Sequence, residues 1–138
     1  MIIKEFISKI EKDYMIATLL KHYKVDNVKV KHKAMKDYAQ YNVDTGTLEL
    51  STKYKEIKPI QLKEFLTTIL HEIYHAMDAK KYGWRKFKHR YEMEMNMIAQ
   101  GHYPGKNDPY KDNKYEIEAE NFGVKNMPKW KSHFTKKR

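Results

Sequence analysis

Histidines 71 and 75 stand four residues apart in a run that reads His71-Glu72-Ile73-Tyr74-His75. On a helix that spacing stacks two imidazoles on one face, one turn apart, so both reach a single ion from a rigid element. Glu72 is rotated about 100° from His71 around the helix axis. From there its carboxylate reaches a water on the ion more readily than the ion itself. Two imidazoles and an adjacent carboxylate are the parts needed to acidify water and take its proton, which is the chemistry of metal-assisted hydrolysis. The chain has no cysteine, so thiolate sites and disulfides are excluded and any metal is held by His and carboxylate.

A catalytic site of this kind needs a third protein ligand and one open position. The best source is the run Tyr115-Glu116-Ile117-Glu118-Ala119-Glu120-Asn121-Phe122. On a helix Glu116 and Glu120 share a face, and Glu118 points away from it toward solvent. Tyr115, Ala119 and Phe122 can pack this helix inward, and the small Ala119 permits close approach to the histidine helix. One carboxylate would then bind metal while the next holds a ligand imidazole in its tautomer. Rival candidates exist. His89 is an alternative third ligand. His102 lies in a loop and suits a polar donor near a substrate. Asp78 falls on the His71/His75 face, as a support for a ligand or an ion-pair partner. His22, His32 and His133 read as surface residues.

The elements that must position these residues can be read from periodicity. Ile3, Phe6, Ile7, Ile10 and Tyr14 recur at helical spacing and predict an amphipathic helix over 2–23. Alternating Val and Lys over 27–33 predicts a half-buried strand. Two β-prone runs around Asp44-Thr45-Gly46-Thr47 predict a hairpin over 38–51. Pro59 opens a helix over 60–80 with Leu62, Phe65, Leu66, Ile69, Ile73 and Ala76 in the core, and Gly83 closes it. A helix over 84–100 turns Trp84, Phe87, Tyr91, Met95 and Ile98 inward. After a loop with Gly101, Pro104-Gly105 and Asn107-Asp108-Pro109, a last helix over 114–127 is stopped by Pro128, leaving a basic tail over 129–138. The fold class is α+β, a single minimal domain with a small sheet or hairpin packed on the histidine helix.

Composition bounds the function classes. In 138 residues, 41% hydrophobic and 13% aromatic content is too much apolar material for a disordered chain despite 33% charged residues. The N-terminal residues are broken by charges, and no stretch is long enough to span a bilayer, so a soluble, cytoplasmic protein is expected. The net charge of +10 raises nucleic acid as a partner. Only Arg85, Arg90 and Arg138 are arginines, however, and a lysine surface fits solubility and weak nonspecific attraction to nucleic acid better than base reading.

His71-Glu72-Ile73-Tyr74-His75 followed by Glu116-x-x-Ala119-Glu120-x-Phe122 resembles the ImmA/IrrE-type metallopeptidases of bacteria and phages, which are gluzincin-like. Met127-Pro128 is similar to the close of that family's helix, and Gly123 stands where the family usually has Ala. The resemblance implies a zincin-like domain with one zinc ion per chain, held by His71, His75 and Glu116, with Glu72 as general base. It also implies a protein or peptide substrate laid in extended form on an edge strand, here Thr47–Ser51. Tyr82-Gly83 with Phe87 is faintly similar to SprT-like proteases, which act on protein crosslinked to DNA and would use His89. Two further classes are a zinc hydrolase for a nonpeptide amide and a binding or regulatory module in which metal is structural.

Overall fold

The computed structural model describes residues 6–136. The first helix, α1 (Lys9–His22), starts at a capping box. The Ser8 hydroxyl accepts the Glu11 N–H at 3.1 Å, and the Glu11 carboxylate accepts the Ser8 N–H at 3.3 Å. That signal sets the start later than the 2–23 helix expected from periodicity; residues 2–5 lie outside the described residues. Ile7 is not helical and bridges Ile57 in an antiparallel pair. The inward face of α1 is Lys12, Met15, Ile16, Leu19 and Leu20, while Ile10 is 81% exposed and Tyr14 is exposed too. The apolar series misled because, among its described members, Phe6 and Ile7 precede the helix while Ile10 and Tyr14 lie on its exposed face, and one phase cannot describe both.

Three strands form a mixed sheet in the order β1-β3-β2. They are β1 (Lys29–Lys33), β2 (Ala39–Asn42) and β3 (Thr47–Ser51). β3 runs parallel to β1 and antiparallel to β2. In the β2–β3 register Ala39 faces Leu50 and Tyr41 faces Leu48, and all four side chains are buried. Two expectations are corrected here. β1 is exposed at every position rather than half-buried. β3 is the central strand, so the edge nearest the histidine helix belongs to β2.

A 3₁₀ turn (Pro59–Gln61) leads into α2 (Leu62–Tyr82), which carries the histidines and the densest part of the core. Leu66, Ile69, Leu70 and Ile73 are fully buried along it. Gly83, at φ 86°, adopts a conformation that other residues avoid and lets α3 (Trp84–Ala99) begin at once. Phe87, Tyr91 and Ile98 point inward, and Trp84 and Met95 are half-buried. The Trp84 indole N–H donates to the Val43 carbonyl at 2.7 Å, tying α3 to the hairpin.

The last helix, α4 (Lys114–Lys136), contains Pro128 instead of ending before it. The expected stop at 127 and the unassigned tail are therefore both revised over residues 129–136; residues 137–138 lie outside the described residues. A proline inside a helix costs about 3 kcal/mol. Against that, Met127, Trp130 and Phe134 are buried, each contributing about 1.5–3 kcal/mol. Pro128 is also exposed, as is Val124, whose carbonyl loses its partner to the ring. The core gain outweighs the break, and the helix continues. Among the described residues no helix is long and apolar enough to cross a membrane.

The α2–α4 contact is very close at Gly123. A Cβ there would lie 2.8 Å from the Thr67 carbonyl oxygen and 3.4 Å from the His71 nitrogen. Gly123→Ala is therefore expected to destabilise the fold by about 1–3 kcal/mol by overpacking, despite alanine's advantage of about 1 kcal/mol in helix propensity. Urea unfolding of the two proteins measures this. An alanine variant as stable as the parent would show that α4 has room to move.

Candidate metal centre

Because α4 lies so close to α2, its first turn delivers a carboxylate to the histidines. Asn113, fully buried, precedes that turn; its Oδ1 accepts the Tyr115 N–H at 2.9 Å and its Nδ2 donates to the Tyr91 carbonyl at 3.4 Å. The buried Glu94 of α3 accepts the Lys114 N–H at 3.0 Å. Two polar groups thus satisfy the orphan donors of the helix start and fix where Glu116 stands. Glu116 Oε1 lies 2.8 Å from His71 Nε2 and 2.8 Å from His75 Nε2. Its other oxygen accepts the hydroxyl of Tyr91. His71 Nδ1 faces Glu120 Oε2 at 2.8 Å.

This arrangement calls for positive charge. A neutral imidazole has one N–H, yet both ring nitrogens of His71 face carboxylate oxygens. If Nδ1–H donates to Glu120, Nε2 turns a lone pair toward Glu116 unless a proton or a metal lies between them. Burial alone would lower the pKa of His71, but the hydrogen bond to Glu116, the charge of Glu72 and the bond to Glu120 outweigh it and raise the pKa to about 9. Burial would likewise raise the pKa of Glu116, and its bonds to His71, His75 and Tyr91 instead hold it well below the usual carboxylate range. Tetrahedral zinc with bonds of about 2.0–2.1 Å separates its ligand atoms by about 3.3 Å. The 2.8 Å contacts are slightly tighter, so a modest expansion accommodates a metal among His71, His75 and Glu116.

Glu72 is a weaker claimant to a ligand role, although its carboxylate lies within 4.8 Å of the histidine donor atoms. Its Oε1 accepts the backbone N–H of Tyr41 at 2.8 Å, and its Oε2 is 3.9 Å from His71 Nε2. His71, Glu72 and His75 together form a group that could hold an ion, while Glu116 makes the closer contact with both imidazoles. Burial raises the pKa of Glu72, opposed by the charges of His75 and His71. The carboxylate is thus held in place, poor in solvent and inclined to take up a proton.

Other candidates are placed differently. Glu118 is exposed, with Oε2 3.5 Å from the Tyr74 hydroxyl. Asp78 does not reach a histidine: His75 Nδ1 and Asp78 Oδ2 are both buried without a hydrogen-bond partner. They lie three residues apart on one helix. His89 is exposed on α3 and joins no contact at the centre, because its side of α3 faces a different cavity. His102 is exposed too, 3.1 Å from Gln100 Oε1.

The loop contributes Tyr110 in place of His102. Asp108 Oδ1 accepts the N–H groups of Tyr110 and Lys111 at 2.8 and 2.9 Å, and Asp112 Oδ2 accepts those of Asn107 and Asp108 at 2.8 and 2.9 Å. These bonds make a firm turn that sets Tyr110 beside His71 and Glu72 in an open groove of about 500 Å³. Burial and the charges of Glu116, Glu72, Asp37 and Glu120 push its hydroxyl pKa upward, so it stays a proton donor. Sequence reading missed Tyr110, Tyr91 and the Tyr41 N–H. For Tyr110 the local signal was the Asn107-Asp108-Pro109 turn, which forecasts a rigid loop but not its target. Comparison of the chain with protein-family models, curated proteins and solved structures finds no match, so the functional reading rests on the geometry of these residues.

Proposed function

We propose that this chain is a zinc-dependent peptidase. The observation that carries the reading is the position of Glu116 Oε1, 2.8 Å from both His71 and His75 Nε2, behind an open groove that His71 and Glu72 line. His71, His75 and Glu116 would hold the ion. A structural zinc site is closed by four protein ligands, whereas three ligands beside a groove leave access for a substrate. Zinc, when bound, supplies Lewis acidity toward water and a carbonyl.

The chain's own residues account for the rest of the chemistry. Glu72 takes the proton from the attacking water at Oε2, while the Tyr41 N–H keeps Oε1 oriented. The same carboxyl can then return that proton to the leaving amine. The Tyr110 hydroxyl, on the same groove, would donate to the carbonyl oxygen as negative charge develops there. Glu120 fixes the tautomer of His71 and Tyr91 orients Glu116.

The edge of β2 suggests how an extended peptide would lie. Because the Tyr41 N–H points to Glu72, the alternation of an antiparallel ladder turns the Ala39 N–H and C=O away from β3 as well. Ala39 lines the groove, so a peptide pairing there by strand addition would pass in front of Glu72. This reading transfers the substrate edge from β3 to β2. To test it, zinc-loaded protein is incubated with a quenched fluorescent peptide library with and without 1,10-phenanthroline. Cleavage that the chelator stops is the expected result. Zinc-loaded protein inert toward peptides but active on small amides would replace the peptidase reading with the amide-hydrolase one.

A further inference from the structure

A second cavity, of about 380 Å³, is bounded by α1, the end of β3, the turn after it, and α2. It shares no lining residue with the groove at the metal centre. One side is apolar: Ile16, Leu50 and Phe65 line it, with Tyr38 and Tyr54. The rings form a continuous wall, with Tyr38 4.6 Å from Tyr54 and 5.5 Å from Phe65 between centroids. The lining also carries the cations Lys9, Lys12 and Lys55, together with His32. Asp13, the single carboxylate among the described lining residues, is already held by Lys9 at 2.8 Å.

Lys12 is the informative residue. It occupies a position on the inward face of α1 that Met15, Ile16 and Leu19 share, and it is only 7% exposed. Its ammonium has no hydrogen-bond or ion-pair partner among the described residues, yet it is not one of the atoms shut off from solvent, so the stem is buried while the head group stays accessible beside the cavity. An apolar residue there would fill the same wall, whereas Lys12 buries its stem and adds a charged head group to it. Burial lowers its pKa, with Asp13 partly opposing the shift. An unpaired ammonium in the lining of an aromatic-walled cavity of ligand size matches a ligand with an apolar body and one negative charge.

We propose that this cavity is a binding site for a small amphiphilic monocarboxylate, its alkyl or aryl body against Tyr38, Tyr54 and Phe65 and its carboxylate on Lys12. Such a site is separate from the peptidase reading and stands without it. Charge-assisted hydrogen bonds are the strong ones, so the head group sets the affinity and the apolar wall sets the shape.

The test is titration of the full chain with octanoate, followed by methyl NMR, with 1-octanol and octyltrimethylammonium as probes of equal chain length. Octanoate is expected to give saturable shifts at the Ile16 and Leu50 methyls and to bind at least about 10-fold more tightly than octanol. Lys12→Met should remove that advantage while octanol still binds, which also shows that the variant is folded; Lys12→Arg should keep it. If Lys12 only packs its methylene stem, octanoate affinity will be unchanged in Lys12→Met, and the proposal is wrong. Tighter binding of the octyl cation, or octanoate shifts that never saturate, would overturn it equally.

Discussion

Glu116→Ala is expected to cost this chain more zinc affinity than any other single carboxylate change. Glu116 Oε1 contacts both histidine Nε2 atoms, and its companion oxygen is pinned by Tyr91. On the proposed ligand set, its removal would leave two ligands on one helix and an open side where the third would stand. Glu120→Ala removes the Nδ1 partner of His71 but no ligand, so a loss of about 10–100-fold is expected. The loss in Glu116→Ala should be well beyond that range. Glu118→Ala and His89→Ala should change little, since both side chains are exposed and away from the cluster. Chelator competition on the four purified variants ranks them directly. A dominant effect at Glu118 would contradict the placement of α4, and a dominant effect at His89 would mean a different ligand set altogether.

Glu72→Gln carries the second large effect, and it falls on turnover instead of on zinc. Glutamine keeps the length of the side chain and an oxygen for the Tyr41 N–H, but it cannot take a proton from water. Zinc content should therefore stay at about one ion per chain, as a single three-ligand site implies. Peptide hydrolysis should fall by about 10²–10⁴-fold, the usual weight of a positioned general base. Measuring metal content and rate on the same preparation separates the two roles. Parent-like turnover in the variant would remove Glu72 from the mechanism, and loss of zinc would make it a ligand.

Much of the centre was legible because helices translate spacing into direction. Four residues separate His71 from His75 and Glu116 from Glu120, and both pairs do face one way. The length of α2 and the hairpin were readable for the same reason, as was the break at Gly83. What escaped was contact between distant segments. The Tyr41 N–H reaches Glu72 across 31 positions, and the Tyr91 hydroxyl reaches Glu116 across 25. No local pattern encodes either bond. Tyr91 was recognisable as an inward aromatic, and its need for a polar partner was the available clue. Strand order was hidden too, because β1 skips past β2 to pair with β3. At Pro128 a local rule lost to packing, since Trp130 and Phe134 draw the chain onward against the core.

The exposure of β1 has a consequence for how this basic chain behaves in a crowded solution. An outer strand whose second edge pairs with no other strand among the described residues is a template on which another molecule could add. In β1 that template is studded with Lys29, Lys31 and Lys33, all exposed on alternate positions of one face. An identical strand approaching it would bring like charges together before any backbone bond could form. The lysine richness that first suggested nucleic acid thus also bears on the fold's own geometry: it sets like charges along the bare side of the sheet, where a copy of the strand would have to pair.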